Sequence, residues 1–521
     1  MLVAPAQAGT RQHGALMARS SHVVSLLLAA ACALGAPAAS NAGGRAPESR
    51  AGAFLATVAP HRYERVPVAR QHEDPFAKVH LVTSRALYDG GIATHARKTA
   101  TLRDSLGSEL VLAEAQAWQL PEISHGIHER ERHCGGYFAF ATRAEAEAFL
   151  RQDRSRQALQ AKALADYAID NAATVAPWLP QVQEANILGS IRHLSTAWPN
   201  RYYASTHGHS AALWIRDTWL ALATGRSDVS AELFTACGSC GGQPSVILTV
   251  RGSELPHEVV VVGGHLDSIS NSGSGNAMNA PGADDDASGI ATITEIIRIA
   301  LADGWRPKRT IKFMGYAAEE VGLRGSNAIA QSFRAQGVEV VGVLQLDMTN
   351  YAAGSQYAMR LMTDNSNPTL QDFVARLFDS YLAPLGLTRG YDTCGYACSD
   401  HASWTAAGYP AAMMAEPTFF NRLHTTTDTV AYLGARAAVS ANFAKLGLAF
   451  VGELGKTHVP PPRRRNGAQP LAPATAVGVT ASQAPDAAAR PAAARVDARM
   501  SPVTLVPLLR LDPRQREPAE R

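Results

Sequence analysis

Acidic and histidine side chains stand where apolar runs stop. His265 follows the β-branched run Val259–Val262 and the glycines 263 and 264, and Asp267 comes two residues later. Asp284, Asp285 and Asp286 lie between Gly282 and Gly289. Glu319 and Glu320 close another apolar stretch, Asp347 follows Leu346, and His424 precedes Thr425–Thr427 and Asp428. Residues of these types collect at the carboxyl ends of parallel strands. Histidine with Asp and Glu is the ligand chemistry of a metal site with an attendant base.

Taken singly, each residue has a plainer use. A lone Asp at a strand end more often caps the next helix, a Glu pair is usually surface, and a lone His is usually surface or satisfied core. Three carboxylates in a row repel one another unless something cationic neutralises them. It is their recurrence at successive strand ends that points to metal. Two cations can share one carboxylate and one water, and a spare Glu can then take the proton.

The elements that would position these groups alternate. Strands are expected at Ser245–Arg251, Glu258–Val262, Thr310–Tyr316, Val338–Leu346 and Ala411–Ala415. Helices are expected at Trp178–Trp198, His209–Leu222, Asp286–Ala302, Gly325–Gln336, Pro368–Leu382 and Tyr432–Leu454. That alternation predicts α/β architecture, a three-layer α/β/α sandwich around a mostly parallel mixed sheet. The catalytic domain should span 171–456. Before it, 43–170 reads as a small α+β accessory or propeptide region, with a charged, Ala-rich helix from Glu145 to Ile169. His125, His128 and His133 fall among charged residues there, in an expected loop with no metal role.

The chain has 521 residues, of which 46% are hydrophobic, and a formal net charge of +3. From Thr457 onward ten Lys or Arg face five Asp or Glu, so the basic character belongs to the tail. Nucleic-acid binding is therefore not expected. That tail, 457–521, is rich in Pro, Ala and Arg and is expected to be disordered. Residues 1–42 read as a signal peptide, with Arg19, an apolar Val23–Ala36 and small residues after it. This predicts export, and no other run is long enough for stable membrane insertion. Cys237 with Cys240, and Cys394 with Cys398, form close pairs. They are disulfides in an oxidising compartment, or else free or zinc-binding thiols.

The motifs GGHLDS (263–268), PGADDDASG (281–289), AEEVGLRGS (318–326), LDM (346–348), DTCGYACSDHASW (392–404) and HTTTDT (424–429) occur in that order. From about Thr174 to Leu454 the chain resembles the secreted dizinc aminopeptidases of metallopeptidase family M28, near the bacterial leucyl aminopeptidase branch. The resemblance implies a zinc exopeptidase-like fold and two Zn2+ per catalytic domain. It implies His265 and Asp347 on one zinc, Glu320 and His424 on the other, and Asp285 bridging. Glu319 would be the general base, Asp267 would orient His265, and Tyr396 would contact substrate. Cys394 and Cys398 match a disulfide of the family. Met348, Phe419 and Leu423 match the pocket for the first side chain, and the segment Glu416–Leu423 is shorter than the family pattern. The implied partners are peptides with a free N-terminus and the chain's own propeptide, with the enzyme acting as a monomer. An exopeptidase of other specificity (carboxypeptidase or dipeptide-releasing) and a non-catalytic binding domain are the alternatives.

Overall fold

The computed structural model describes residues 74–104, 107–131, 135–152 and 167–458. The expected signal segment, and with it Cys32, lies outside these residues, as do His133, Cys134 and the tail from 459 onward.

The first part is a four-stranded antiparallel sheet with helices. In chain order it runs β1 (Lys78–Ser84), α1 (Arg85–Gly90), β2 (Arg97–Arg103), β3 (Glu109–Gln116), α2 (Leu120–Glu131), β4 (Tyr137–Phe140) and α3 (Arg143–Leu150). Its strand order is β2-β3-β1-β4. Thr142 and Glu145 form a capping box that starts α3. The helix expected to continue to Ile169 ends at Leu150, and residues 167–171 carry no helix. The segment holding His125 and His128, expected as a loop, is helical. Glu122 in its first turn and His128 and Arg130 in its last suit the helix dipole.

The second part begins with α4 (Ala172–Trp178), α5 (Glu184–Thr196) and α6 (Thr206–Leu222). The expected helix from Trp178 to Trp198 is broken, because Pro180 has no N–H to continue the ladder. Then come β5 (Val229–Phe234), β6 (Ser245–Val250), β7 (Leu255–His265), α7 (Ala287–Ala302), β8 (Arg309–Tyr316), α8 (Arg324–Gln336) and β9 (Glu339–Leu346). The chain continues through β10 (Met359–Met362), α9 (Pro368–Tyr381), β11 (Arg389–Asp392), α10 (His401–Ala406), β12 (Ala411–Ala415) and α11 (Ala438–Gly455). The closing helix was expected from Tyr432, but Gly434 and Ala435 take left-handed φ values of 71° and 52° and delay it.

The eight strands run in the order β11-β10-β12-β9-β7-β8-β6-β5. The centre is parallel, β12 to β9 to β7 to β8, and antiparallel strands flank it. The β-branched run of β7 explains the layering. Val260 and Val262 belong to the core under α4, α5, α7 and α11, whereas Val259 and Val261 belong to the core under α8 and α10. Successive side chains point to opposite faces, so only a sheet covered on both sides can bury the run. Each such Val contributes roughly 1.5–3 kcal/mol. Because the central strands are parallel, His265, the Ala317–Glu320 turn, Asp347 and Glu416 all emerge at one edge. This is the expected sandwich with its accessory domain.

Candidate metal centre

One carboxylate ties the edge together. Asp286 caps α7 by accepting from Gly289 N at 2.8 Å. It also accepts from His265 N at 3.0 Å and Met348 N at 3.1 Å, so β7, α7 and the turn after β9 share one side chain. The close approach needs glycine. A Cβ on Gly289 would lie 2.4 Å from both Asp286 oxygens, and one on Gly264 would lie 2.8 Å from the Leu346 carbonyl. Asp428 anchors the triplet from behind, accepting from Asp284 N at 2.9 Å and Asp285 N at 3.1 Å. Arg201 is buried there and donates to the carbonyls of Leu266, Pro281 and Gly282.

Held this way, Asp285 faces both histidines. Its Oδ1 lies 2.8 Å from His265 Nε2 and its Oδ2 3.4 Å from His424 Nε2. Asp347 Oδ1 lies 3.4 Å from His265 Nε2, and Glu320 Oε2 lies 2.7 Å from His424 Nε2. His265, Asp285 and Glu320 each present an atom within 4.8 Å of the others, and so do His265, Asp286 and Asp347. Both oxygens of Asp286 accept from backbone N–H groups, whereas those of Asp285 face the two histidine rings. Ser399 donates to Asp347 Oδ2 at 2.5 Å, which leaves Oδ1 for the centre. Asp267 lies 3.5 Å from His265 Nδ1, and it also accepts from Glu319 N at 3.0 Å and Glu320 N at 3.3 Å. It therefore faces the ring and pins the Glu pair at once.

These donors fit a pair of cations. The imidazole nitrogens of His265 and His424, both oxygens of Glu319 and Glu320, and Asp347 Oδ1 are buried and make no hydrogen bond of usable geometry. Burial pushes Glu319 well above the ordinary carboxylate range, with Asp400, Asp347 and Glu320 adding to it. Burial likewise raises Glu320 to about 7. Burial alone would lower His424, but Glu320 and Asp285 bring it up to about 10. A protein interior does not hold so many carboxylates without positive charge among them. Zn2+ is suited to this N and O ligand set, so the centre is a two-zinc site.

The neighbouring cavity is about 300 Å³. Met348, Met362, Met413, Phe419 and Leu423 give it apolar walls, and Cys394, Cys398, Glu416 and the Arg360–Asp392 ion pair complete it. Tyr396 is buried in the cluster that the turns after β7 and β8 share with the first sheet. Cys394–Cys398 and Cys237–Cys240 are both disulfides, with Cα atoms 6.2 and 5.4 Å apart, which rules out thiol or zinc-binding pairs. Asp286 is the triplet member at the helix start, where a carboxylate cap was expected, whereas Arg201 and Ser399 gave no sign of their roles in the sequence. Each acts on backbone or on a ligand rather than on the centre itself. Ser124 and His128 of α2, which also reach the site, gave no signal in an apparently charged loop.

The profile of Peptidase family M28 matches residues 245–449. The chain is 37% identical to Leucine aminopeptidase 1 of Phaeosphaeria nodorum over 297 residues, covering 54% of this chain and 73% of that one. Its identity to Leucine aminopeptidase 1 of Arthroderma otae is also 37%, over 303 residues, 55% of this chain and 78% of that one. Among solved structures it is similar to LapB from Legionella pneumophila, with TM-score 0.59, 30% identity, and 73% and 100% of the two chains covered. The LapA aminopeptidase of the same organism gives TM-score 0.61 and 28% identity over 73% and 98%. By this similarity and by its ligand geometry, the chain belongs to peptidase family M28.

Proposed function

We propose that this is an exported dizinc aminopeptidase that removes large apolar first residues from peptides. The observation that carries the reading is Asp285, whose two oxygens reach toward the two histidines from opposite ends of the centre. His265 and Asp347 would hold one zinc, Glu320 and His424 the other, and Asp285 both. When bound, the pair of ions supplies Lewis acidity and lowers the pKa of a shared water toward neutral.

The chain's own groups do the rest. Glu319 takes a proton from the attacking water as the C–O bond forms. It returns that proton to the leaving nitrogen as the C–N bond breaks. Asp267 holds the backbone of Glu319 so that its carboxylate stays aimed. The Met-rich cavity takes the first side chain, and its volume and apolar walls suit Leu-like residues. The free α-amino group finds negative charge at the buried carboxylates, which favours cleavage after the first residue.

Export is supported by the apolar run Val23–Ala36 within the expected signal segment and by both disulfides. No described helix is long and apolar enough to cross a membrane. One chain supplies the full ligand set, which supports a monomer. The accessory part acts on the catalytic domain in cis. The test is zinc stoichiometry beside hydrolysis of Leu-p-nitroanilide, with and without a chelator. Two zinc per chain and chelator-sensitive turnover are expected, with N-acetylated substrate inert. Cleavage of the blocked substrate, or zinc-independent turnover, would overturn the reading.

A further inference from the structure

We propose that the N-terminal sheet domain is a standing part of the catalytic centre, with Ser124 and His128 of α2 positioning the loops that bear Glu319, Glu320 and His424. The inference rests on the two-metal reading above. Ser124 Oγ donates to the Glu320 carbonyl at 2.6 Å and lies 2.8 Å from Tyr137 Oη. Ser124 spends its one hydrogen on that carbonyl, so the Tyr137 hydroxyl donates in turn to Ser124. One step further on, Ala139 N donates to the Gly322 carbonyl at 3.0 Å. Gly322 has φ 107°, and a Cβ there would lie 2.5 Å from Ala139 Cβ, so this contact depends on the glycine. The Glu319–Gly322 turn is thus bonded from one side by Asp267 and from the other by α2 and β4.

The same domain touches the other two loops. Gly136 N donates to the Ala397 carbonyl at 2.8 Å, inside the disulfide loop. The His128 ring, 2% exposed, stacks on Phe419 at 5.3 Å and packs against His424 at 5.2 Å between centroids. His424 itself sits at φ 54°, a conformation that a non-glycine residue keeps only when its surroundings enforce it. Ile123, Ile127 and Tyr137 share one buried cluster with Ala317, Ala318 and Val321.

A separable plug would fill the substrate cavity. Among the described residues this domain does not: those lining the cavity run from Asp347 to Leu423. The contacts therefore act as braces. Ser124 and His128 are positioning residues that would act through Glu320 and His424.

The test uses the full chain, depleted of metal and titrated with Zn2+ in a calorimeter, then assayed with Leu-p-nitroanilide. In Ser124→Ala the zinc at His265 and Asp347, the tighter of the two on this proposal, should bind as in wild type. The zinc at Glu320 and His424 should lose about tenfold in affinity, as partners behind metal ligands commonly do. kcat should fall by about tenfold, with KM within about twofold. Ser124→Thr, which keeps the hydroxyl, should restore both. His128→Ala should behave like Ser124→Ala, and His128→Phe should restore stacking and rate. If Ser124→Ala does not fold by near-UV circular dichroism, the His128 pair carries the same test. The proposal is overturned if either Ala variant outpaces wild type, as release of an inhibitor would. Wild-type zinc isotherms and kcat in a folded Ala variant would overturn it as well. Wild type binding two zinc and turning over keeps the function reading separate from this outcome.

Discussion

His265 and Asp347 leave the ends of β7 and β9, strands that pair directly in the middle of the sheet. Glu320 and His424 leave loops instead. The first pair inherits its position from ladder hydrogen bonds and from Asp286. The second pair is held by borrowed contacts: Asp267 on the Glu319–Glu320 backbone, Ser124 on the Glu320 carbonyl, and His128 against His424. Left-handed φ occurs in both halves, at Ala318 and His424 and also at Met348 beside Asp347, so it is the source of the supporting contacts that differs. A two-zinc site can thus be one half scaffold and one half assembly. The second half should be the softer one, because local stability follows packing and hydrogen bonding.

The largest effect should come from a residue that holds no metal. Glu319→Ala is expected to keep two zinc per chain and the wild-type melt, yet lose about 10³-fold in kcat. Zinc analysis beside Leu-p-nitroanilide turnover checks it; loss of one zinc would move Glu319 into the ligand set. Next comes Asp267→Asn. The amide must turn its NH2 toward one of the two N–H groups that the carboxylate now satisfies. Zinc affinity at the Glu320–His424 side should drop by about 10- to 100-fold, and that at His265 by less, where Asp267 only faces the ring across 3.5 Å. Equal weakening of both zinc ions would mean the halves are not distinct.

Ser399→Ala probes the other half, because Ser399 bonds Asp347. Its effect should be smaller, about tenfold, and should fall on the tighter zinc. An effect confined to the weaker zinc would reverse the comparison.

The last effect leaves both zinc sites alone and concerns stability. Burial lowers the pKa of His401 to about 4, outweighing the opposing pull of Asp364. As pH falls below 6.5 the unfolded chain takes up a proton that the folded one refuses. Stability is then intact above 6.5 and is lost progressively down to about 4. The full loss is on the order of 3 kcal/mol. His401→Phe should flatten that slope in urea midpoints measured at pH 7 and pH 4.5, and parallel slopes would remove His401 from the account.

The scaffolded half was the more legible in sequence. A β-branched run ending in two glycines and a histidine carries its own strand, its exit and its ligand within a few residues. Leu346 followed by Asp347 does the same. Glu320 and His424 could be placed in a list of ligands through the ordered motifs, but nothing local to them shows what holds their loops. Ser124 and His128 act across space on a carbonyl and on a ring, and neither has a periodic or compositional mark. The short strands β10 and β11 were missed for a related reason. Four residues are too few for an alternation to declare itself, and their place beside β12 comes from tertiary pairing.

The Cys394–Cys398 bond lies in the wall of the recognition cavity. That wall can be finished only by an oxidation event. Where thiols are kept reduced, the chain would hold its ligands with a slack side to the chamber proposed for the first residue. With export as proposed, recognition would tighten only after the polypeptide had left the compartment in which its own host's peptides are made.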